Sequence, residues 1–192
     1  NRLDASAKHI SAVNCVHNNI GYNTDWIGFM NAMEFNNVKL EGRNCLIIGA
    51  GGVAYAVAYA LIKSKVKAIS VQNRTKENTK NLLKWINKRI SNNIVNNPDV
   101  IINCTPLGMS PNINVTPNHK KLNKKHIAID TIYNPIETKW LNNCKSDGAQ
   151  TIGGLDMFIG QGIASINIWL QTDIKNDIDT KLIKNKLEKI LC

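Results

Sequence analysis

The clearest chemical signal in this chain is a glycine turn followed, some twenty residues on, by an arginine. Gly49, Gly51 and Ala54 fit the pattern G-x-G-x-x-G/A, between an apolar run at 45–48 and an alanine-rich stretch of helical spacing. Glycine at such a turn lets backbone approach a pyrophosphate, and the helix start beyond it offers unpaired N–H groups and partial positive charge. The next apolar run ends in Asn73-Arg74-Thr75. Where an NAD site usually has a carboxylate for the ribose 2′-hydroxyl, Arg74 offers a guanidinium suited to a 2′-phosphate. A bare glycine turn is also an ordinary strand-to-helix corner. The strand before it, the helix after it and the basic tip favour a nucleotide, and NADP over NAD.

Other polar and glycine-containing segments fall where strands should end. Open α/β sheets bind ligands beyond the carboxyl ends of their strands. The glycine turn, Asn73-Arg74-Thr75, 103–109 and 132–135 converge there by this reading, with Thr105 assigned to the cofactor side. Gly153-Gly154, ahead of Met157 and Gln161, permits close approach of backbone to a planar ring. Asn14 and the cluster Asn23-Thr24-Asp25 carry polar groups capable of holding a polyhydroxylated substrate. Asp25 reads more readily as a helix cap than as a catalytic group. A hydride transfer to a carbonyl needs a proton donor held near a carboxylate, and spacing alone selects no such pair here.

These residues need a scaffold, and the pattern supplies one. Residues 2–12 read as the end of a helix, 12–16 and 20–23 as short strands, and 25–36 as a helix with Ile27, Met30, Ala32 and Met33 on its apolar face. From there strands at 45–48, 68–72, near 94–96, 99–103, 127–132 and 149–152 alternate with helices at 52–63, 76–90, 137–146 and 154–170. The helix at 76–90 has Leu82, Leu83, Ile86 and Ile90 as its buried stripe. Residues 110–125 read as a surface connection. A tail helix at 176–191 turns Ile178, Leu182, Leu187, Ile190 and Leu191 inward. Alternation of this kind predicts an α/β fold, a doubly wound parallel sheet with helices on both faces.

Composition narrows the function classes. The formal charge is +10, from 24 Lys and Arg against 14 Asp and Glu, but the lysines are scattered and aromatics make up only 6%. Nucleic-acid binding is therefore not expected, although a positive field gathers anionic small molecules. No apolar run reaches the length of a membrane span, and no leader pattern opens the sequence, so a cytoplasmic protein is expected. The five cysteines form no C-x-x-C pair and the four histidines no ligand spacing, so the expectation is free thiols and no metal.

Seven ordered motifs resemble one family, the shikimate dehydrogenases. They are Ser11-Ala-Val-Asn14-Cys, Asn23-Thr-Asp25-Trp-Ile-Gly28, Gly49-Ala-Gly-Gly52, Asn73-Arg-Thr75, Ile102-Asn-Cys-Thr-Pro-Leu-Gly-Met109, Asp130-Thr-Ile-Tyr133-Asn-Pro135 with Thr138, and Gly153-Gly154-Leu-Asp-Met157 with Gln161. The resemblance implies NADPH-dependent reduction of 3-dehydroshikimate to shikimate, in aromatic amino-acid biosynthesis. It implies that Asn14 and Asp25 contact substrate hydroxyls, Asp25 being the partner of a catalytic lysine, with Tyr133 and Gln161 completing the substrate side. It further implies that Gly49, Ala50, Gly51, Gly52 and Val53 cradle the pyrophosphate. Asn73, Arg74 and Thr75 would hold the adenosine ribose and its 2′-phosphate, while Gly154 and Met157 line the nicotinamide pocket.

The family's lysine belongs to a V-T-x-P-x-K motif ahead of Asn14. The chain opens on Asn1, after that point, and neither Lys8 nor Lys39 matches the motif. A piece of a longer polypeptide is therefore expected: residues 1–36 the C-terminal remnant of a smaller α/β substrate-binding domain, 37–171 a Rossmann-like NADP-binding domain, and 172–192 a C-terminal helix. The partner expected is a small molecule, in a monomer or homodimer. The alternatives are an NADP-binding unit without turnover and an NAD-using quinate/shikimate dehydrogenase, the latter disfavoured by Arg74. Asp156 departs from the glycine common in the family.

Overall fold

The computed structural model describes residues 2–92, 95–174 and 177–191. It opens with β1 (Arg2–Leu3), α1 (Ala5–Ile10), β2 (Cys15–His17), β3 (Ile20–Tyr22) and α2 (Asp25–Phe35). The alternating part follows: β4 (Asn44–Ile48), α3 (Gly52–Lys63), β5 (Ala68–Gln72), α4 (Lys76–Asn87), β6 (Val100–Asn103), β7 (Ile127–Asp130), α5 (Lys139–Ser146), β8 (Gln150–Ile152), α6 (Gly154–Leu170) and α7 (Thr180–Leu191). The first three strands make a small sheet in the order β1-β3-β2. The other five make a wholly parallel sheet in the order β5-β4-β6-β7-β8.

Strand order reverses at β4, which has β5 on one side and β6 on the other. Crossovers leave this strand in opposite directions, so a crevice opens beyond its carboxyl end. Gly49 occupies that point with φ +110°, and a Cβ there would lie 2.6 Å from the Cys104 carbonyl oxygen after β6. Only glycine lets the two loops approach so closely. Beneath them the core is nearly continuous: β4, β6 and β7 contribute Ile47, Ile102 and Ile129, against the alanine face of α3. Alanine at 54, 58 and 60 lets that helix lie close on the sheet.

The small sheet is fixed to this unit by α2 and by α1. Helix α2 runs against α6, and a Cβ on Gly28 would stand 2.4 Å from the Met157 carbonyl oxygen. At α1, the His9 carbonyl accepts from the indole Nε1 of Trp85 on α4 at 2.9 Å. Ile10 packs with Ala56 and Tyr59 of α3.

Several expected elements come out differently, each for a local reason. Residues 2–12 contain a strand before the helix, because the Asp4 carboxylate caps α1 by accepting from the Ser6 and Ala7 amides. Helix α4 closes at Asn87 rather than 90, in a tightened turn in which Arg89 N–H donates to Ile86. Of its expected stripe, Leu82 and Ile86 are fully buried, while Leu83 and Ile90 are only partly so. On α2, Phe29 joins Ala32 and Met33 in the core, Met30 packs against it partly buried, and Ile27 is only partly buried. Strand β7 ends at Asp130, whose carboxylate accepts from the Ile132 amide and turns the chain.

Of the strand expected near 94–96, residue 94 lies outside the described residues, and 95–96 are not strand. Beside β5 the Asn92 side chain stands in for strand pairing, accepting from Ile69 N–H and donating to Ile69 C=O, both at 2.8 Å. Residue 176, where the tail helix was expected to begin, is likewise undescribed; α7 starts at Thr180, where Asp179 accepts from the Leu182 amide. Its inward residues are Ile183, Leu187 and Leu191, with Ile174 and Ile178 before it, whereas Leu182 and Ile190 are exposed. Spacing of four residues selects that stripe on a straight helix. Among the described residues no helix is long and apolar enough to cross a membrane.

Candidate functional site

A cleft of 560 Å³ opens at the reversal point, lined among others by Ala50, Gly51, Asn73, Arg74, Thr75 and Thr105. At its floor α3 begins on Gly51 with no side chain capping it. The N–H groups of an uncapped first turn are orphan donors with partial positive charge, the requirement of an anion. A Cβ on Gly51 or on Gly52 would meet nothing within 4 Å, so the space over the turn is open to a ligand. Val53, on the first turn, packs its partly buried side chain against the core.

At the other wall, Asn73 Nδ2 donates to the Thr75 carbonyl at 3.0 Å and holds the loop after β5 in a tight bend. Arg74 projects from this bend, exposed, with no hydrogen bond or ion pair to another described residue. An unpaired guanidinium at the rim of a cleft floored by helix donors suits a phosphoryl group. Gln72, Asn78, Pro117 and Asn118 also line the cleft and were not singled out by sequence. Gln72 Nε2 donates to the Asn118 carbonyl at 2.9 Å, drawing the 110–125 connection to the edge of the cleft. No short motif marks a contact made 46 residues away.

The loops after β6 and β7 are built around one buried carboxylate that the motif reading quoted without a role. Asp130 accepts from Asn103 Nδ2 at 3.1 Å, from the Ile132 amide at 3.1 Å and from Thr138 Oγ1 at 2.7 Å. Burial pushes its carboxyl up to about 6 against the pull of those three donors, Thr138 foremost. Asn103 Oδ1 in turn accepts from both the amide and the hydroxyl of Thr105. The Thr105 hydroxyl is thus turned inward to the loop, and what Thr105 offers the cleft is its methyl and backbone. Gly154 has a similar structural reason: a Cβ there would lie 2.5 Å from the carbonyl oxygens of both Thr131 and Ile132. It lets α6 begin directly beneath the β7 loop.

On the far side of that helix start lies the polar cluster. Asn14 Oδ1 accepts from the Thr24 amide at 2.8 Å and from Thr24 Oγ1 at 3.2 Å. This fixes the amide's orientation, so Asn14 Nδ2 donates to Asp25 Oδ1 at 2.8 Å. Thr24 Oγ1 also meets Ser165 Oγ at 3.0 Å and Gln161 Oε1 at 3.4 Å. Gln161 Nε2 donates to the Phe158 carbonyl, and the Phe158 ring stacks on Tyr133 with centroids 4.4 Å apart. Asn14, Asp25, Gln161 and Tyr133 are therefore joined through Thr24 and Phe158 into one wall.

The cap expected at Asp25 is not what forms. Asp25 is the first residue of α2, Thr24 is the cap residue with no cap bond from its own side chain, and Asn23 Oδ1 accepts from the Asp25 amide at 3.2 Å. Asn14 Oδ1 already takes the Thr24 amide and Asn23 Oδ1 the Asp25 amide, so the Asp25 carboxylate turns to Asn14 Nδ2 instead. Burial raises the Asp25 carboxyl above the ordinary carboxylate range, and the Asn14 hydrogen bond opposes that rise. Among the described residues it forms no ion pair with a lysine, arginine or histidine. Removing the Asn14 donor deprives the ionised form of support. In Asn14→Ala the Asp25 carboxyl should therefore titrate at higher pH than in the unsubstituted protein, which carboxyl-carbon NMR read across a pH series shows directly; an unmoved titration excludes the Asn14 hydrogen bond from that ionisation.

Known proteins share both the sequence and the geometry. The profile of the shikimate / quinate 5-dehydrogenase family matches residues 31–139. A shikimate dehydrogenase (NADP(+)) of Methanosphaera stadtmanae is 37% identical over 185 residues, covering 87% of this chain and 65% of that protein. One from Methanocaldococcus jannaschii is 38% identical over 205 aligned positions, covering 97% of this chain and 72% of that one. A crystal structure of shikimate dehydrogenase in complex with NADP+ superposes with TM-score 0.88 at 35% identity, over all of this chain and 71% of the other. The chain thus spans about two thirds of the length of the relatives it matches.

Proposed function

This chain belongs to the shikimate / quinate 5-dehydrogenase family, and we propose that it serves the NADPH-dependent, reversible reduction of 3-dehydroshikimate to shikimate. The observation that carries this reading is one chain carrying both a cleft over the uncapped start of α3, with Arg74 at its rim, and a linked cluster of Asn14, Asp25, Gln161 and Tyr133. When bound, the reduced nicotinamide supplies a hydride to the substrate carbonyl.

The uncapped turn at Gly51 and Gly52 receives the pyrophosphate, and Arg74 with Asn73 and Thr75 receives the 2′-phosphorylated ribose. Met157 and the backbone at Gly154 flank the nicotinamide ring. Asn14 donates to or accepts from a substrate hydroxyl with whichever valence Thr24 and Asp25 leave open, and Tyr133 and Gln161 close the same side. Ionised Asp25 stabilises the positive charge of the proton donor, a lysine in the family's V-T-x-P-x-K motif ahead of Asn14, and so sets the proton that neutralises the developing alkoxide. Two desolvated groups side by side, one acid and one base, shift each other toward the charged forms.

The direct test is nicotinamide absorbance in the intact polypeptide: shikimate should drive NADP+ reduction, and 3-dehydroshikimate NADPH oxidation. Cofactor binding with no turnover of either substrate would leave only a nucleotide-binding unit. Cofactor choice has its own test. Arg74→Ala removes one charge-assisted phosphate contact and should weaken NADPH by about 2 kcal/mol, some thirtyfold, while NADH changes little. Equal losses for both cofactors overturn the 2′-phosphate assignment.

A further inference from the structure

Asp156 is buried to 7% exposure on the first turn of α6, at a position flanked by two site residues, Gly154 and Met157. A buried carboxylate persists only where its charge is met. Two other helices meet it. Asn36 Nδ2, at the end of α2, donates to Asp156 Oδ2 at 2.9 Å. Lys184 Nζ, on the tail helix α7, lies 2.7 Å from Oδ1. Three elements are therefore tied at one side chain. Helix α2 carries Asp25 at its opposite end, α6 carries Met157 and Gln161, and α7 carries no site residue at all.

The apolar contacts around this tie are compatible with sliding. Leu155, Ile159 and Ile163 of α6 pack on Ile183, Leu187 and Leu191 of α7 through flexible aliphatic side chains. The charge pair, by contrast, is directional and sits within one residue of Met157. The first turn of α6 also has no side-chain cap of its own, because Gly153 precedes it. Asp156 complements the helix start electrostatically and holds it laterally.

We propose that Asp156 is a positioning residue through which the tail helix, by way of Lys184, sets where the first turn of α6 stands over the nicotinamide. The proposal rests on the dehydrogenase reading above and adds a residue pair to it. Neither Asp156 nor Lys184 touches cofactor or substrate in this reading.

The test is Lys184→Met in the intact polypeptide, with Lys184→Arg and Asp156→Asn beside it. The kcat for shikimate oxidation should fall about tenfold in Lys184→Met, less than the roughly 100-fold that a 1 Å misplacement costs. The KM for shikimate should stay within about twofold, and Lys184→Arg should restore the rate, since it keeps the charge. Asp156→Asn combined with Lys184→Met should do no more than either alone. Limited proteolysis ahead of Thr180 reports tail docking, and the fluorescence of bound NADPH reports the nicotinamide environment without any turnover. A tail released to protease while kcat and NADPH fluorescence stay at wild-type values overturns the proposal. So does a fully additive double variant. If the wild-type protein turns over neither substrate, the dehydrogenase reading fails by itself, and unchanged NADPH fluorescence in Lys184→Met then sinks the positioning role separately.

Discussion

Asp25→Asn in the intact polypeptide should lower kcat by about 10²- to 10⁴-fold, the range in which a positioned acid–base group contributes. The substitution keeps shape. Asn14 Nδ2 can still donate to the remaining amide oxygen, so the α2 start and the Thr24 contacts stay in register. What disappears is the negative charge that a protonated lysine would pair with. NADPH affinity should change little, because Asp25 does not line the nucleotide cleft. A steady-state rate paired with an NADPH titration separates the two effects. Turnover at the wild-type level would reduce Asp25 to a structural neighbour of Asn14, and a large loss of NADPH affinity would show that the cluster and the cleft had been assigned to the wrong sides.

The nucleotide half was legible in the sequence for a plain reason. A parallel sheet is buried on both faces, so its strands read as short apolar runs such as 45–48 and 99–103, and glycine and asparagine mark where they end. The cleft residues sit in those punctuation marks, within a few positions of a strand end. The wall proposed for substrate was legible as polar groups at Asn14 and 23–25, and its Tyr133 and Gln161 only as family motifs. Its working contacts join Thr24 to Ser165 and to Gln161 across 141 and 137 residues. Local spacing even favoured the wrong role for Asp25, since aspartate at the head of an apolar run usually caps a helix. The helix does begin at Asp25, which puts the cap position on Thr24, and the Asp25 side chain turns to Asn14. Asp130 and Asn103 were hidden in another way. Each lies at the end of an apolar run and looks like a loop polar group, yet both are almost fully buried. Burial of a polar residue is a tertiary fact, with no periodic signature to betray it.

Gly28→Ala should be the most damaging change outside the chemistry, and its effect should reach both stability and rate. The added methyl would stand 2.4 Å from the Met157 carbonyl oxygen and 2.7 Å from the Gln161 backbone nitrogen. Both are backbone atoms of α6, so no rotamer change relieves the clash and the helices must part. Gly160 on the facing helix is also close-packed, with a Cβ position 3.1 Å from the Gly28 Cα, so the crossing has little room to slide toward it. Overpacking of this kind costs about 1–3 kcal/mol, and backbone contact puts Gly28→Ala at the upper end. Separation of α2 from α6 also pulls Thr24 from Gln161 and Ser165, which unfixes Asn14. Chemical denaturation and kcat should therefore fall together, whereas Arg74→Ala should leave denaturation unchanged. A Gly28→Ala protein that unfolds at the wild-type midpoint, with Gln161 still in place, would mean that the α2–α6 crossing has slack and does not hold the substrate wall against the nicotinamide.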